Sequence, residues 1–134
     1  MLSHVEIYVS DLKRSIAFWQ WFLELIEYEP FQSWAEGRSW KRDETYIVFV
    51  QAPPDTIAAG YERRRIGLNH LAFHAKSQQQ VDSVTQLLRE RGVRILYEDR
   101  HPHAGGGHAV FFEDPDRIKV ELVADIQESS MRRE

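Results

Sequence analysis

The chain repeats itself, and that repeat limits the fold more than any other feature of the sequence. Leu2-Ser3-His4 in the first half matches Leu68-Asn69-His70 in the second. Each triplet is expected to open a strand that runs into a Ser- or Asp-capped helix. Late in each half, Phe49-Val50-Gln51-Ala52 matches Glu121-Leu122-Val123-Ala124. The second match is displaced further along the chain than the first, so the second half holds an insertion. The segment His101-Pro102-His103-Ala104-Gly105-Gly106-Gly107 is the obvious place for it. Two copies are too few for a solenoid, so the repeat predicts one duplicated unit inside a single compact domain.

Both halves read as strand, helix and then three strands. Val5, Ile7 and Val9 alternate with His4, Glu6 and Tyr8, the period-two signature of a strand over 2–9. Ser10-Asp11 offers a helix cap, and Leu12, Ile16, Trp19, Leu23 and Ile26 recur at helical spacing up to about Glu27. Strands are expected over 28–34 and 38–42, with Glu36-Gly37 as the turn, and over Thr45–Gln51. In the second half a strand is expected over 68–74. Ser77 caps a helix carrying Val81, Val84, Leu87 and Leu88, and Gly92 ends it. Strands then follow over 93–97, 108–112 and 118–123, the last two joined by an Asp114-Pro115-Asp116 turn. The resulting organisation is a first module over 1–52 and a linker over 53–67, where Pro53, Pro54 and Gly60 fall. A second module covers 68–125 and a polar tail 126–134.

Composition excludes several classes. A 43% hydrophobic content with 4 Trp, 5 Tyr and 7 Phe supports a packed core. The net charge of −4 argues against a nucleic-acid partner. No stretch approaches the roughly 20 apolar residues of a membrane span. The chain has no cysteine, hence no thiolate chemistry and no disulfides, and it begins without a visible leader; a cytoplasmic protein is the expectation.

The candidate chemistry lies on one strand face of each half. Alternation sets His4 with Glu6 and Tyr8, His70 with Ala72 and His74, and Glu121 with Lys119 and Val123, all opposite the apolar faces that receive the helices. Imidazole and carboxylate are good ligands for Zn, Ni, Fe, Mn or Co. Taken singly, a strand His is more often a surface or hydrogen-bonded residue than a ligand, and Glu121 reads equally as a solvated strand residue. Together, at repeat-related positions, they form a candidate ligand set. His101 and His103 stand in a glycine-rich loop that suits close backbone approach to a ligand, and equally suits a plain surface hairpin. Arg100 reads first as a solvated arginine, with the holding of an anionic substrate group as the alternative. Trp34 and Trp40 are candidate pocket walls or core, and Arg63-Arg64-Arg65 reads as a solvated linker face.

Three stretches, LSHVEIYVSDLKRSIAFW, GLNHLAFH and FFEDPDRIKVELVA, in this order and spacing, resemble the vicinal oxygen chelate superfamily. That group includes glyoxalase I, bleomycin-resistance proteins and extradiol dioxygenases. The resemblance implies an α+β fold of two βαβββ modules forming a cupped mixed sheet around a divalent metal held by His4, His70 and Glu121. It implies a small oxygen-chelating substrate, a homodimer, and lyase, isomerase or dioxygenase chemistry. Glu121 would then serve proton transfer as well as ligation, with Tyr8, His74 and His103 in support. Four-ligand relatives carry a Glu in the first module too, and the repeat as aligned sets Phe49 there, with Gln51 as a weaker substitute. The alternative reading is a bleomycin-resistance-like binding protein without catalysis.

Overall fold

The computed structural model describes residues 1–126 and divides them into two compact units, Met1–Tyr61 and one beginning at Glu62. The division falls inside the expected linker. Each unit is a βαβββ module with a four-stranded mixed sheet, as the repeat predicts.

The first unit runs β1 (His4–Val9), α1 (Leu12–Leu25), β2 (Glu29–Trp34), β3 (Gly37–Arg42) and β4 (Thr45–Gln51), with strand order β1-β4-β3-β2. β1 pairs in parallel with β4, and β3 lies antiparallel between β4 and β2. Asp11 caps α1, its carboxylate accepting from Arg14 N at 3.2 Å. Ile7 and Val9 of β1 and Ile47 and Phe49 of β4 are buried with Phe18, Trp19, Phe22 and Leu23 of α1. Phe49 is fully buried and stacks on Trp19 at 4.8 Å between ring centroids. Trp40 is core, edge-on to Phe49 at 6.0 Å, whereas Trp34 is partly exposed and folds over Gly37. A β-carbon at Gly37 would collide with the Trp34 indole, which is why the third strand starts on a glycine.

The second unit runs β5 (Leu71–His74), α2 (Gln78–Glu90), β6 (Ile95–Leu96), β7 (Gly107–Glu113) and β8 (Lys119–Ile126), in the order β5-β8-β7-β6. Its parallel pair is β5 with β8. Ser77 caps α2 through Gln80 N at 3.0 Å, and Gly92, at φ 73°, follows the helix end as expected. Val81, Val84 and Leu88 pack with Val110, Phe112, Val120 and Leu122 in a buried core, and Leu87 is left exposed.

Five expectations need correction. The strand foreseen over 68–74 begins only at Leu71, paired with Val120. Ahead of that pair in the same register stand only Lys119, the first residue of β8, and the turn before it, where the Asp114 carboxylate gathers the N–H groups of Asp116 and Ile118 at 2.9 and 2.8 Å and Arg117 turns left-handed at φ 68°. The strand over 93–97 shrinks to Ile95–Leu96, because Tyr97 takes φ 57° and leads into a 3-10 turn over Glu98–Arg100. The linker holds a 3-10 helix, Pro54–Ala59. Arg63 is not a solvated linker residue: its Nη1 donates to buried Glu113 Oε2 at 2.6 Å and to Arg117 O at 3.1 Å, since a carboxylate taken from water needs a charged donor. Of the tail expected from 126, Ile126 extends β8 and residues 127–134 lie outside the described residues.

Candidate functional site

Glu121 sits in the middle of β8, on the face away from Leu122 and Val120, and is 8% exposed. A carboxylate so withdrawn from water must be met by a donor or a cation. Among the described residues the side chain that faces it is His70, whose Nε2 lies 3.2 Å from Glu121 Oε1. His70 stands immediately before β5, so the parallel pairing of β5 with β8 carries its ring over Glu121. The Asn69 amide oxygen is 2.8 Å from His70 Nδ1, so Nδ1 carries the hydrogen and Nε2 is left to face the carboxylate. The edge of the imidazole rests on Phe111, at 5.9 Å between centroids. From the other side comes the glycine-rich loop. A β-carbon at Gly105 would stand 3.0 Å from the Phe111 ring and 3.1 Å from Glu121 Oε2, tighter than ordinary contact. Only glycine lets the loop lie this close without displacing the carboxylate. Leu96, Ala109, Phe111 and Val123 form the apolar bed of this face, with Tyr97 and Ala104 against it.

His4 opens β1 in the first unit, on the exposed face with Glu6 and Tyr8. The Ser3 hydroxyl is 3.1 Å from His4 Nδ1, and the imidazole stacks flat on Tyr46 at 4.6 Å. The two histidines share one feature: in each, the side chain of the preceding residue engages Nδ1 and leaves Nε2 for another partner. Sequence reasoning aligned the two triplets but gave Ser3 and Asn69 no task. The only available signal was that each middle residue of a repeated triplet is a short hydrogen-bonding side chain.

Strand register corrects the fourth-ligand position. Ala72, two residues after His70, pairs with Glu121; Glu6, two residues after His4, pairs with Val48. Val48, not Phe49, is thus the first-unit counterpart of Glu121. Phe49 points to the opposite face and into the helix core. Gln51 is no substitute ligand either. Its Oε1 accepts from Leu12 N at 2.9 Å and its Nε2 donates to Ser10 O at 2.9 Å, fastening the start of α1 to the sheet.

The other sequence candidates have contacts of their own. His103 is exposed, with its ring 5.9 Å from His108, and His108 Nε2 is 2.7 Å from Asp82 on α2. Burial first, and then Arg89, pushes His101 below the ordinary imidazole range. Tyr8 is exposed on β1, roughly 13 Å along the strand from His4 by strand rise. Arg100 lies over the Tyr97 ring at 4.8 Å. Among the described residues no group of three or more His, Asp or Glu side chains is gathered closely enough to hold a metal.

The pair that is gathered fits one. Two donors at about 2.1 Å from one ion, at angles between octahedral and tetrahedral, stand roughly 3.0–3.4 Å apart; His70 Nε2 and Glu121 Oε1 are 3.2 Å apart. If Asn69 sets the direction of the His70 lone pair, Asn69→Ala will weaken Mn(II) binding about 10- to 100-fold while leaving the fold intact. Mn(II) titration followed by electron paramagnetic resonance reads this, and an unchanged affinity would remove Asn69 from the site.

Residues 1–122 match the sequence model of the Glyoxalase/Bleomycin resistance protein/Dioxygenase superfamily. Over 125 residues the chain is 58% identical to YqjT of Bacillus subtilis (strain 168), described as uncharacterized, across 92% of this chain and 98% of that one. The crystal structure of a Bacillus halodurans protein, named provisionally as a glyoxalase, is 57% identical, with a TM-score of 0.91 over 93% of this chain and 96% of that one. A mutant of the fosfomycin resistance protein FosX from Listeria monocytogenes, crystallised with Mn(II) and 1S,2S-dihydroxypropylphosphonic acid, is 25% identical. Its TM-score is 0.73, over 99% of this chain and 98% of that one.

Proposed function

The chain belongs to the Glyoxalase/Bleomycin resistance protein/Dioxygenase superfamily, and from that premise we propose that it is a divalent-metal-dependent enzyme acting on a small oxygen-chelating substrate, with His4, His70 and Glu121 as metal ligands. The observation that carries the reading is the convergence of His70 and Glu121 at a separation suited to one ion, with Asn69 holding the imidazole in the ligating tautomer. FosX, a relative by fold and sequence, was crystallised with Mn(II), and Zn, Ni, Fe and Co suit the same donors. When bound, the metal supplies Lewis acidity toward substrate oxygens and stabilises developing negative charge.

The chain's own residues account for the rest. Phe111, Leu96 and Val123 give Glu121 an apolar surround, which strengthens its interactions with any bound group. The glycine-rich loop lies over Oε2 through Gly105 and shields it from water. Glu121 is placed to move a proton as well as to ligate; Tyr8 and His103 are the further acid–base groups of this reading. The same reading carries a homodimer and a cytoplasmic setting.

A substrate panel separates the reaction classes. Mn(II)- or Fe(II)-loaded protein is expected to turn over one of a hemithioacetal, a catechol or a fosfomycin-type epoxide. Tight binding of such compounds with no turnover would instead favour a sequestering protein.

A further inference from the structure

Two residues before Glu121, on the same face of β8, is Lys119. Its Nζ is 3.0 Å from Tyr97 Oη and lies over two rings, Tyr97 at 5.2 Å and Phe111 at 5.6 Å. Phe111 is also the ring on which His70 rests. The ammonium and the His70–Glu121 pair thus share one aromatic floor. Register puts Glu113 directly across the strand from Lys119. A carboxylate in that place would ordinarily pair with the lysine, but Glu113 is taken up by three guanidinium groups. Arg63, Arg117 and Arg94 stand 2.6, 3.3 and 3.7 Å from its oxygens. Lys119 is left with a phenol and two π faces as its described partners. Against the same Tyr97 ring, Arg100 brings a second cation to 4.8 Å from its centroid. Tyr97 itself is held at φ 57°, a left-handed conformation unfavourable for a bulky side chain. Such strain collects where a side chain must be aimed rather than merely packed.

The geometry points to an oxyanion-binding subsite formed by Lys119, Tyr97 and Arg100, which takes a carboxylate or phosphonate head group carried a few bonds from the oxygens that chelate the metal. The donor inventory fits. An ammonium has three N–H groups, of which one is spent on Tyr97 Oη. The phenol, accepting there, keeps its own O–H to donate. Two N–H bonds, one O–H bond and an adjacent guanidinium suit an oxyanion, and two cations in an aromatic surround favour it over a neutral hydroxyl. The subsite deepens the metalloenzyme reading and rests on it for the placement of the substrate's other end. It separates substrates within the class: neutral diols and catechols lack the group it recognises.

The subsite can be read without the metal. Isothermal titration of the metal-free full chain with methylphosphonate, inorganic phosphate and acetate is expected to show binding of at least one. Comparison of the phosphonate and acetate arms tells which head group is favoured. Lys119→Met should weaken that binding about tenfold or more, Lys119→Arg should retain most of it, and Tyr97→Phe should weaken it severalfold. Circular dichroism checks that each variant folds. Equal affinity in native and Lys119→Met protein, or no anion binding by the native chain, overturns the proposal. A parallel Mn(II) titration keeps the two readings apart: native protein that binds the anion but no Mn(II) sinks the metal site alone, and native protein that binds Mn(II) but no anion sinks the subsite alone.

Discussion

Phe49→Ala will destabilise the first unit by about 3–5 kcal/mol, the range for deleting a fully buried aromatic ring. Phe49 has no exposed surface and bridges Trp19 of α1 and Trp40 of β3. Its loss opens a cavity where helix and sheet share a stacked aromatic cluster. Total stability in a chain of this size is about 5–15 kcal/mol, so the variant should be marginal at 37 °C. Urea denaturation reads this, and a loss below about 1 kcal/mol would mean that the ring is not core. The contrast with Glu121 is the point. Simple alignment of the two halves equates these positions, yet one is the keystone of a core and the other a candidate site residue on the opposite sheet face.

Glu121→Gln will have the largest effect on function. Activity should fall by about 10²–10³-fold or more, the order found when one group aimed at developing charge is removed. Metal affinity should fall as well, because an amide oxygen replaces a charged donor. Stability should move the other way. The carboxylate is 8% exposed and among described residues is met only by His70; exchanging a buried charge for a near-isosteric neutral group removes a desolvation cost. The metal-free variant is therefore expected to melt at or above the native temperature. Full activity in the variant would contradict the assignment. A large drop in the melting temperature of the metal-free form would mark Glu121 as structural.

Much of the fold is legible in the sequence because each unit buries one sheet face under one helix. That arrangement writes period two into Val5, Ile7 and Val9 and helical spacing into Val81, Val84 and Leu88. The Asp11 and Ser77 caps and the Gly92 stop are local and were read correctly. What was not legible depends on partners far along the chain. Leu68 to His70 looks like strand, but a strand exists only where a neighbour offers its backbone, and ahead of β8 stands the Asp114 turn. The aligned text set Phe49 against Glu121, whereas pairing with Glu6 and Ala72 shows Val48 in that place. A slip of one residue exchanges the two faces of a strand, so a proposed ligand is set against a core residue. Gln51 has the chemistry of a ligand and is spent on backbone groups of α1. For the candidate site, residue types at repeated positions pointed to His70 and Glu121, and the fold brings these two within 3.2 Å. The tasks of Asn69 and Gly105 could not be foreseen, because an orienting hydrogen bond and a close backbone approach have no periodicity.

The central claim is that His70 and Glu121 belong to a metal site. Metal analysis of native protein beside the His70→Ala variant, both purified under metal-replete conditions, tests it most directly. The account predicts close to one divalent ion per native chain and a markedly substoichiometric amount in the variant, with both proteins folded by circular dichroism. Substoichiometric metal in both, or equal full occupancy in both, would contradict it.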